Sequence, residues 1–334
     1  MKKILLLFDS PYSKPRGYDF KEEFELKDWQ TERNIYEALL QNGYKVRLLG
    51  IYNNLKLLLE EVEEHKPDMV FNLTDVFEQK THLDKNIPAV LELLNLPYTG
   101  ASPASLLICN DKALSKKILS FHRIKVPNFK AFYQYRKVKL PKRLKLPLIV
   151  KPLCEEASRG ISQASFVDGE SAFLERVKFI HEKMQLDAIA EEYIEGRELY
   201  MGVLGNRRVK VFHPVEMKFG KISEDEPRIA TYKAKWDDAY RKKWGLKNVA
   251  IGPLPQEIDK KIQKICKRAY RVLNMQGYAR FDIRLTPDNQ VYILEPNANP
   301  CLAKDDDFAK AAEKDGIAYD KLVCKIINIA LQRR

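Results

Sequence analysis

The apolar and polar positions change rhythm along the chain. Ile4-Leu5-Leu6-Leu7-Phe8 is a continuous apolar run of strand length, which predicts a buried first strand over residues 2–9. A polar, proline-containing stretch runs from Ser10 to about Lys27. From Asp28 to Asn42 apolar residues return at helical spacing: Trp29, Ile35, Ala38 and Leu39 share one face, and Asn42-Gly43 ends the helix. The alternation continues with a strand over 44–49, a helix over 55–65, a strand over 69–73 and a helix over 85–94. Strands alternating with helices predict a parallel sheet with helices on its faces. No Gly-x-Gly-x-x-Gly follows the first strand, so a nicotinamide-binding unit is excluded.

Leu96-Pro97-Tyr98-Thr99-Gly100 reads as a hinge. Beyond it Asp111 stands ready to cap a helix starting at Lys112, and residues 129–147 are strand-like and basic. Leu148-Ile149-Val150-Lys151-Pro152 is a buried strand halted by proline, which holds its lysine at a cleft edge. Lys112 and Lys151 are therefore candidates for phosphate contact, although an isolated lysine is usually a solvated surface residue. The loop 153–162 has one glycine and lacks the Lys-Ser/Thr ending of a nucleotide triphosphatase loop, so alone it is a weak phosphate cradle. A helix is predicted over 169–184, a strand over 187–194, and a turn with a further strand over 195–206. The strand edge at 191–194 can offer backbone NH and CO groups to a purine while Glu198 reaches a ribose hydroxyl; a plain β-ribbon with exposed glutamates fits the same pattern. Residues 217–244 are polar and irregular, hold Ala230-Thr231-Tyr232-Lys233-Ala234-Lys235-Trp236, and are expected to form a lid. Amphipathic helices are predicted over 255–275 and 319–332.

Between those helices, residues 279–285 and 291–297 alternate apolar and polar and are joined by a short turn. A period of two puts Arg280, Asp282 and Arg284 on one face of the first strand, and Glu295 and Asn297 on one face of the second. Pairing would gather Asp282, Glu295 and Asn297 into an all-oxygen cluster of the type that suits magnesium, with Arg280 a fixed cation beside it. Such a cluster holds a polyphosphate. An antiparallel hairpin with one wet face carries mixed charge as readily.

At 334 residues the chain exceeds what one core usually supports, so two or three domains sharing a cleft are expected. The opening apolar run is too short for a membrane span and lacks a signal-peptide cleavage site. Five scattered cysteines with no Cys-x-x-Cys pair argue against a disulfide framework and a structural zinc site. A cytoplasmic protein with no membrane partner is the expectation. The formal charge of +12 comes with lysines spread along the whole length. A nucleic-acid surface needs its cations gathered on one face with aromatics beside them, so an anionic small-molecule substrate is the more economical reading and no nucleic-acid partner is expected.

Seven segments then fall into register: the 96–100 hinge, Asp111-Lys112, Val150-Lys151-Pro152, Glu191-Glu192-Tyr193-Ile194-x-Gly196-x-Glu198, Tyr232-x-Ala234-Lys235-Trp236, Arg280-x-Asp282 and Glu295-x-Asn297-x-x-Pro300. In this order and spacing the chain resembles ATP-grasp ligases over nearly its whole length, and most resembles D-alanine–D-alanine ligases and their relatives. The resemblance implies an ATP-grasp fold of mixed α/β and α+β class: an N-terminal Rossmann-like, parallel-sheet domain over 1–99, then a central subdomain over 100–190 and a C-terminal one over 191–334 that clamp ATP. It implies that Lys112, Lys151 and Ser158 contact the nucleotide, that Glu191, Glu192, Tyr193 and Ile194 hold the adenine, and that Glu198 takes the ribose. Lys235 would reach the γ-phosphate, and Arg280 would act with it in catalysis. Asp282, Glu295 and Asn297 would bind two magnesium ions, with manganese a substitute.

The activity implied is ATP-dependent joining of a carboxylate to an amine through an acyl phosphate, with ADP and phosphate released. Small acid and amine substrates, such as amino acids or peptides, and a homodimeric assembly go with it. Authentic D-alanine–D-alanine ligation, a small-molecule kinase and a non-catalytic ATP-binding module are the alternatives. The chain departs from the family pattern at Ala157, where a serine is usual, at Trp236 for tyrosine, and at Cys301 for glycine. Asp306 replaces the serine that takes the second substrate's carboxylate, and an aspartate there would repel it. Trp236, Cys301 and Asp306 are accordingly substrate-pocket candidates. Asn72-Leu73 replaces a histidine-glycine pair, and neither Glu25 nor Glu32 aligns well with the glutamate that holds the substrate amine. The nucleotide half is intact while the amino-acid half is rewritten.

Overall fold

The computed structural model describes residues 2–155, 157–222 and 227–333. Glu156 of the expected phosphate loop and residues 223–226 of the expected lid lie outside the described residues. The described residues build three sheets.

The first comprises β1 (Lys3–Asp9), β2 (Lys45–Ile51) and β3 (Met69–Asn72), all parallel, in the order β2-β1-β3. Helices α1 (Lys21–Phe24), α2 (Gln30–Gln41), α3 (Lys56–His65) and α4 (Asn86–Leu93) cover it. β1 is central and its two faces are both dry. Ile4, Leu6 and Phe8 pack with Ile35 and Leu39 of α2, while Leu5 and Leu7 pack with Leu58, Ile87 and Leu91. An unbroken apolar run is what a strand covered on both sides requires, each such side chain contributing about 2 kcal/mol. The polar stretch after β1 is anchored by Phe20 and Phe24, which join Phe8 and Trp29 in an aromatic cluster. Gly50 makes room for it, since a Cβ there would lie 2.5 Å from the Phe20 ring.

The second sheet follows α5 (Pro103–Asn110) and α6 (Lys112–Phe121). It holds β4 (Phe129–Phe132), β5 (Leu148–Pro152), β6 (Phe166–Val167) and, after α7 (Glu170–Glu182), β7 (Ala188–Glu192), in the antiparallel order β4-β7-β5-β6. Asp111 caps α6 as expected, its Oδ1 accepting from Ala113 N and Leu114 N at 2.9 Å each. The expected strand over 129–147 stops at Phe132. The chain turns at 134–136, with Tyr135 at φ 61°, and stays irregular as far as Pro147, although Val138, Leu140 and Leu144 still pack onto this unit's core.

The third sheet is antiparallel and six-stranded: β8 (Arg197–Leu204), β9 (Lys210–Val211), β10 (Val215–Lys218), β11 (Lys247–Ala250), β12 (Tyr278–Leu285) and β13 (Val291–Asn297). Its order is β11-β10-β8-β12-β13, with β9 against β8. The expected irregular lid is more ordered than its composition suggests, because it contains two short helices, α8 (Tyr232–Trp236) and α9 (Asp238–Trp244). Each has its own cap: Thr231 Oγ1 accepts from Ala234 N at 3.1 Å, and Asp237 Oδ1 from Tyr240 N at 2.9 Å. Ile262, Cys266, Ala269 and Tyr270 of α10 (Gln256–Val272) cover Phe281, Ile283 and Ile293 on one face. On the other, α11 (Asp307–Lys314) and α12 (Tyr319–Leu331) bring Phe308, Leu322 and Ile326 into a core continuous with that of α2 and β1. The hinge is latched to the loop after β13: Asn299 Oδ1 accepts from Ala101 N at 2.8 Å, and Gly100, at φ +91°, leaves the space that side chain fills. Among the described residues no helix is long and apolar enough to cross a membrane.

Candidate functional site

The β12–β13 ladder pairs Asp282 with Glu295 and Arg280 with Asn297, then slips just after Asp282. Period-two alternation thus delivers the expected cluster. Arg280 grips Asp282 with two bonds, Nε to Oδ1 at 2.8 Å and a terminal nitrogen to Oδ2 at 3.1 Å. Asn297 Nδ2 donates to Asp282 Oδ1 at 3.1 Å. From the lid, Lys235 Nζ comes to 3.7 Å from Asp282 Oδ2, and from α6 Lys112 Nζ lies 3.0 Å from Glu295 Oε1. Burial pushes the Glu295 carboxyl up, but Lys112, Lys151 and Lys235 together outweigh it and hold the group well below the ordinary range. Each of the two acids thus faces a cation.

A second knot of charge lies deeper. Lys116 is one helical turn beyond Lys112 and shares its face. Its Nζ is fully buried, 3.2 Å from Glu191 Oε1, and donates to the carbonyl of Leu294. Lys151 Nζ reaches the same Glu191 oxygen, also at 3.2 Å. Since Glu191 belongs to β7 and Leu294 to β13, Lys116 ties the second sheet to the third. Burial pushes its ammonium down to about 8 against the pull of Glu191. Burial acts on Glu191 in the opposite sense, and the two lysines prevail, so its carboxyl sits below its ordinary value.

Between these sheets is a cleft of roughly 620 Å³, including its open mouth. Ile149, Ile161 and Leu294 make part of it an apolar slot; Lys151, Ser158, Lys235, Asp282 and Glu295 line it together with residues 191–194 and Glu198. A flat apolar ring carrying an anionic chain is the ligand shape this distribution suits. Not every expected side chain is free to serve it. Glu192 accepts from Asn128 Nδ2 and from the backbone NH of Lys145, at 2.8 Å each. Glu198 has both oxygens engaged, Oε2 by Arg284 at 2.8 Å and Oε1 by the Tyr200 hydroxyl at 3.0 Å.

The lid and the expected phosphate loop close on one another. Trp236 Nε1 donates to the Ala157 carbonyl at 2.9 Å, Ser158 Oγ to the Ala230 carbonyl at 3.2 Å, and Tyr232 N to the Ile161 carbonyl at 3.0 Å. Ala157 and Ser158 both have left-handed backbones, at φ 52° and 59°, which side-chain-bearing residues adopt at a cost of about 1–2 kcal/mol each.

Cys301 and Asp306 do not line this cleft. They sit at the seam with α2, where Cys301 Sγ is 3.5 Å from Thr31 Oγ1. Burial, with Asp306 nearby, pushes the Cys301 thiol up to about 12. Asp306 caps α11, accepting from Asp307 N. Of the acids at the start of α11 it is Asp307 that comes to Arg280, at 4.0 Å, and it takes two bonds from Asn248 at 2.9 Å. At the start of α2, Glu32 keeps one buried carboxylate oxygen without a partner among the described residues, and burial raises its pKa to about 7.

Lys116, Arg284 and Asp307 were not singled out from the sequence. The spacing of Lys116 from Lys112 was the available signal; for Arg284 it was the shared strand face with Asp282. Asp282, Glu295 and Asn297 offer a hard oxygen donor set that fits magnesium. They number two acids and an amide, and the described residues contain no group of three His, Cys, Asp or Glu side chains placed to hold a metal unaided.

A parallel three-stranded unit followed by two antiparallel sheets around a lysine-lined cleft defines the ATP-grasp class. The chain belongs to the D-ala D-ala ligase family: the profile described as D-ala D-ala ligase C-terminus matches residues 117–328. Its relatives include the uncharacterized protein y4sG of Sinorhizobium fredii, 29% identical over 99% of this chain and 94% of its own length. The D-alanine–D-alanine ligase of Carboxydothermus hydrogenoformans is 28% identical over 91% of this chain and 94% of its own. Among solved structures, the D-alanine–D-alanine ligase of Bacillus anthracis complexed with ATP superposes with a TM-score of 0.76 at 21% identity, covering 99% of this chain and 98% of that one. The VanG D-Ala:D-Ser ligase of Enterococcus faecalis gives 0.70 at 19% identity, covering 98% and 99%.

Proposed function

We propose that this protein is an ATP-dependent carboxylate–amine ligase that makes an amide or peptide bond through an acyl phosphate. The observation that supports it best is the pairing of Asp282 with Glu295 at the mouth of the apolar slot, ringed by Lys112, Lys235 and Arg280. Under this reading residues 1–99, 100–190 and 191–334 act as three units around ATP. The purine enters the slot along 191–194, and the phosphates meet Lys112, Lys151, Ser158 and Lys235. Asp282, Glu295 and Asn297 would hold magnesium, which when bound offsets charge on the phosphates.

A carboxylate is a poor acyl donor because oxide is a poor leaving group. Transfer of the γ-phosphoryl group to the acid's oxygen, with ADP leaving, gives an acyl phosphate. The amine then attacks its carbonyl carbon, and phosphate leaves from the tetrahedral intermediate while the amine loses a proton. Lys235 and Arg280 stand where charge builds on the phosphoryl group and on the oxyanion. The contacts of Trp236, Ser158 and Tyr232 keep water out, so the acyl phosphate waits for the amine instead of hydrolysing.

Relatives named as D-alanine–D-alanine ligases support the narrower reading that both substrates are D-alanine; Trp236, Cys301 and Asp306 support a different pair. Following ADP release with amino acids singly and in pairs tests both readings. The ligase reading expects turnover that requires an acid and an amine. Turnover with D-alanine alone would favour the narrower reading, and ADP formation with an alcohol alone, leaving a stable phosphoester, would favour a kinase.

A further inference from the structure

From Arg123 to Pro147 the chain carries nine lysines and arginines and not one aspartate or glutamate, against a net charge of +12 for all 334 residues. Lysines are indeed spread along the sequence, but the acids that balance them are missing here. All nine cations are exposed, and none is in an ion pair among the described residues.

The fold gathers what the sequence only strings together. Among the described residues β4 is the edge of the second sheet and pairs with β7 alone, its other side open. That open side, α6 and the irregular chain after β4 border an open groove of about 1140 Å³, its solvent-filled mouth included. Lys117 comes to it from α6, Lys130 from β4 and Arg143 from the irregular segment, with Tyr133 and Phe129 between them. Aromatic rings stand beside the cations: Tyr135 is 99% exposed, Phe121 83% and Tyr133 40%, with the Arg136 guanidinium 5.5 Å from the Tyr133 ring centre. The groove shares only Pro127 with the lining of the nucleotide cleft, so a ligand here does not displace one there.

We propose that this face binds single-stranded nucleic acid, with the sugar–phosphate backbone along Lys117, Lys130 and Arg143 and bases stacked on Tyr133 and Tyr135. A row of unpaired cations attracts a polyanion by releasing its counterions, and exposed rings beside the row hold unpaired bases of any sequence. A membrane surface fits less well, because the exposed large apolar side chains of this stretch are Tyr133, Tyr135 and Leu146, and Lys117, Lys130 and Arg143 line a groove, not a plane. Duplex readout fits less well too, since neither a helix nor a β-ribbon projects from this edge.

The test is fluorescence anisotropy of the full-length protein with a labelled 20-nucleotide oligouridine, in saturating ADP and magnesium to fill the cleft, at 50 to 300 mM KCl. The expected result is binding whose affinity falls with salt with a log–log slope of about −2, as three phosphate contacts on a single strand give. The variant carrying Lys117→Glu, Lys130→Glu and Arg143→Glu loses tenfold or more at 100 mM KCl and flattens that slope. Tyr133→Ala with Tyr135→Ala weakens binding severalfold and leaves the slope unchanged, which separates stacking from charge. ADP release by both variants stays at the level of the unaltered protein. The proposal is overturned by absence of binding at 50 mM KCl and 50 µM protein, or by an affinity indifferent to the charge reversal. Polyglutamate bound as tightly as the oligonucleotide, or phosphatidylserine vesicles retained in its stead, would overturn it as well.

Discussion

Lys116 and Glu191 form an ion pair at 3.2 Å with both side chains buried, and Lys151 completes it from the other side of the same carboxylate oxygen. Two cations on one acid make an odd number of charges in a dry place, so the arrangement has a use beyond stability. Lys116 also holds the Leu294 carbonyl, and Leu294 is a wall of the apolar slot. Lys116→Met should therefore raise the KM for ATP tenfold or more while kcat changes less, and lower the unfolding free energy by about 3 kcal/mol, the scale for breaking a buried pair. Steady-state kinetics and urea titration check the two parts. Loss of stability with an unchanged KM would leave Lys116 a strut only.

Asp282 and Glu295 meet across the hairpin, the first held by Arg280 of its own strand and the second by Lys112 from α6. Asp282→Asn or Glu295→Gln keeps the shape and removes one negative donor. Either substitution should cut kcat by about 10³ or more, roughly 4 kcal/mol of transition-state stabilisation, and shift the magnesium requirement upward. Circular dichroism should be unchanged. Near-normal turnover in either variant would remove these residues from the metal role.

Asp306 has a structural duty that any substrate role must share, because it caps α11. Serine caps as well as aspartate, so Asp306→Ser should leave stability within a few tenths of a kcal/mol, whereas Asp306→Ala should cost about 1 kcal/mol. If the acceptor binds near the 301–306 loop, the serine variant also changes the preference among amine substrates, favouring those that carry a carboxylate. A competition assay with paired amines reads this directly; an unchanged ranking would make Asp306 a helix cap and no more.

What was legible in the sequence follows from how local its cause is. The β1 run, the Asp111 cap and the hairpin read over 279–297 each depend on a pattern within ten or twenty residues, and all three formed, the hairpin's first strand beginning one residue earlier. α5 was missed although Ser102-Pro103 is a cap followed by a first-turn proline, because its apolar residues run consecutively and show no helical period. The strand expected over 129–147 ends at Phe132 because the chain turns at 134–136 with Tyr135 in a left-handed backbone, φ 61°, and the lid's two helices are too short for their polar stretch to show a helical period. At the site, ligand types were readable and partners were not. Nothing near Glu198 in sequence announces that Arg284, 86 residues away, occupies one of its oxygens. Likewise Glu191 was read as a purine contact, and only the fold brings Lys116 and Lys151 onto it.

Glu32 gives a pH dependence whose sign can be worked out. Burial, with Asp9 nearby, raises its pKa to about 7, against about 4.3 for a glutamate in the unfolded chain. Below pH 4 it is protonated in both states and contributes nothing. Between about 4.5 and 7 the unfolded chain gives up the proton that the folded protein keeps, so the native state binds more protons and stability falls as pH rises. Well above 7 the full penalty is present, about 4 kcal/mol for a shift of this size. Glu32→Gln should nearly match the unaltered protein at pH 4.5 and exceed it by about 3–4 kcal/mol at pH 8, measured by urea unfolding at the two values. The carboxyl of Asp9, itself raised by burial, keeps some slope of the same sign in the variant. A substrate ammonium seated against the unpartnered oxygen of Glu32 would supply the missing counter-charge. Saturating amino acid should then stabilise the unaltered protein more at pH 8 than at pH 4.5, and should lose that difference in Glu32→Gln.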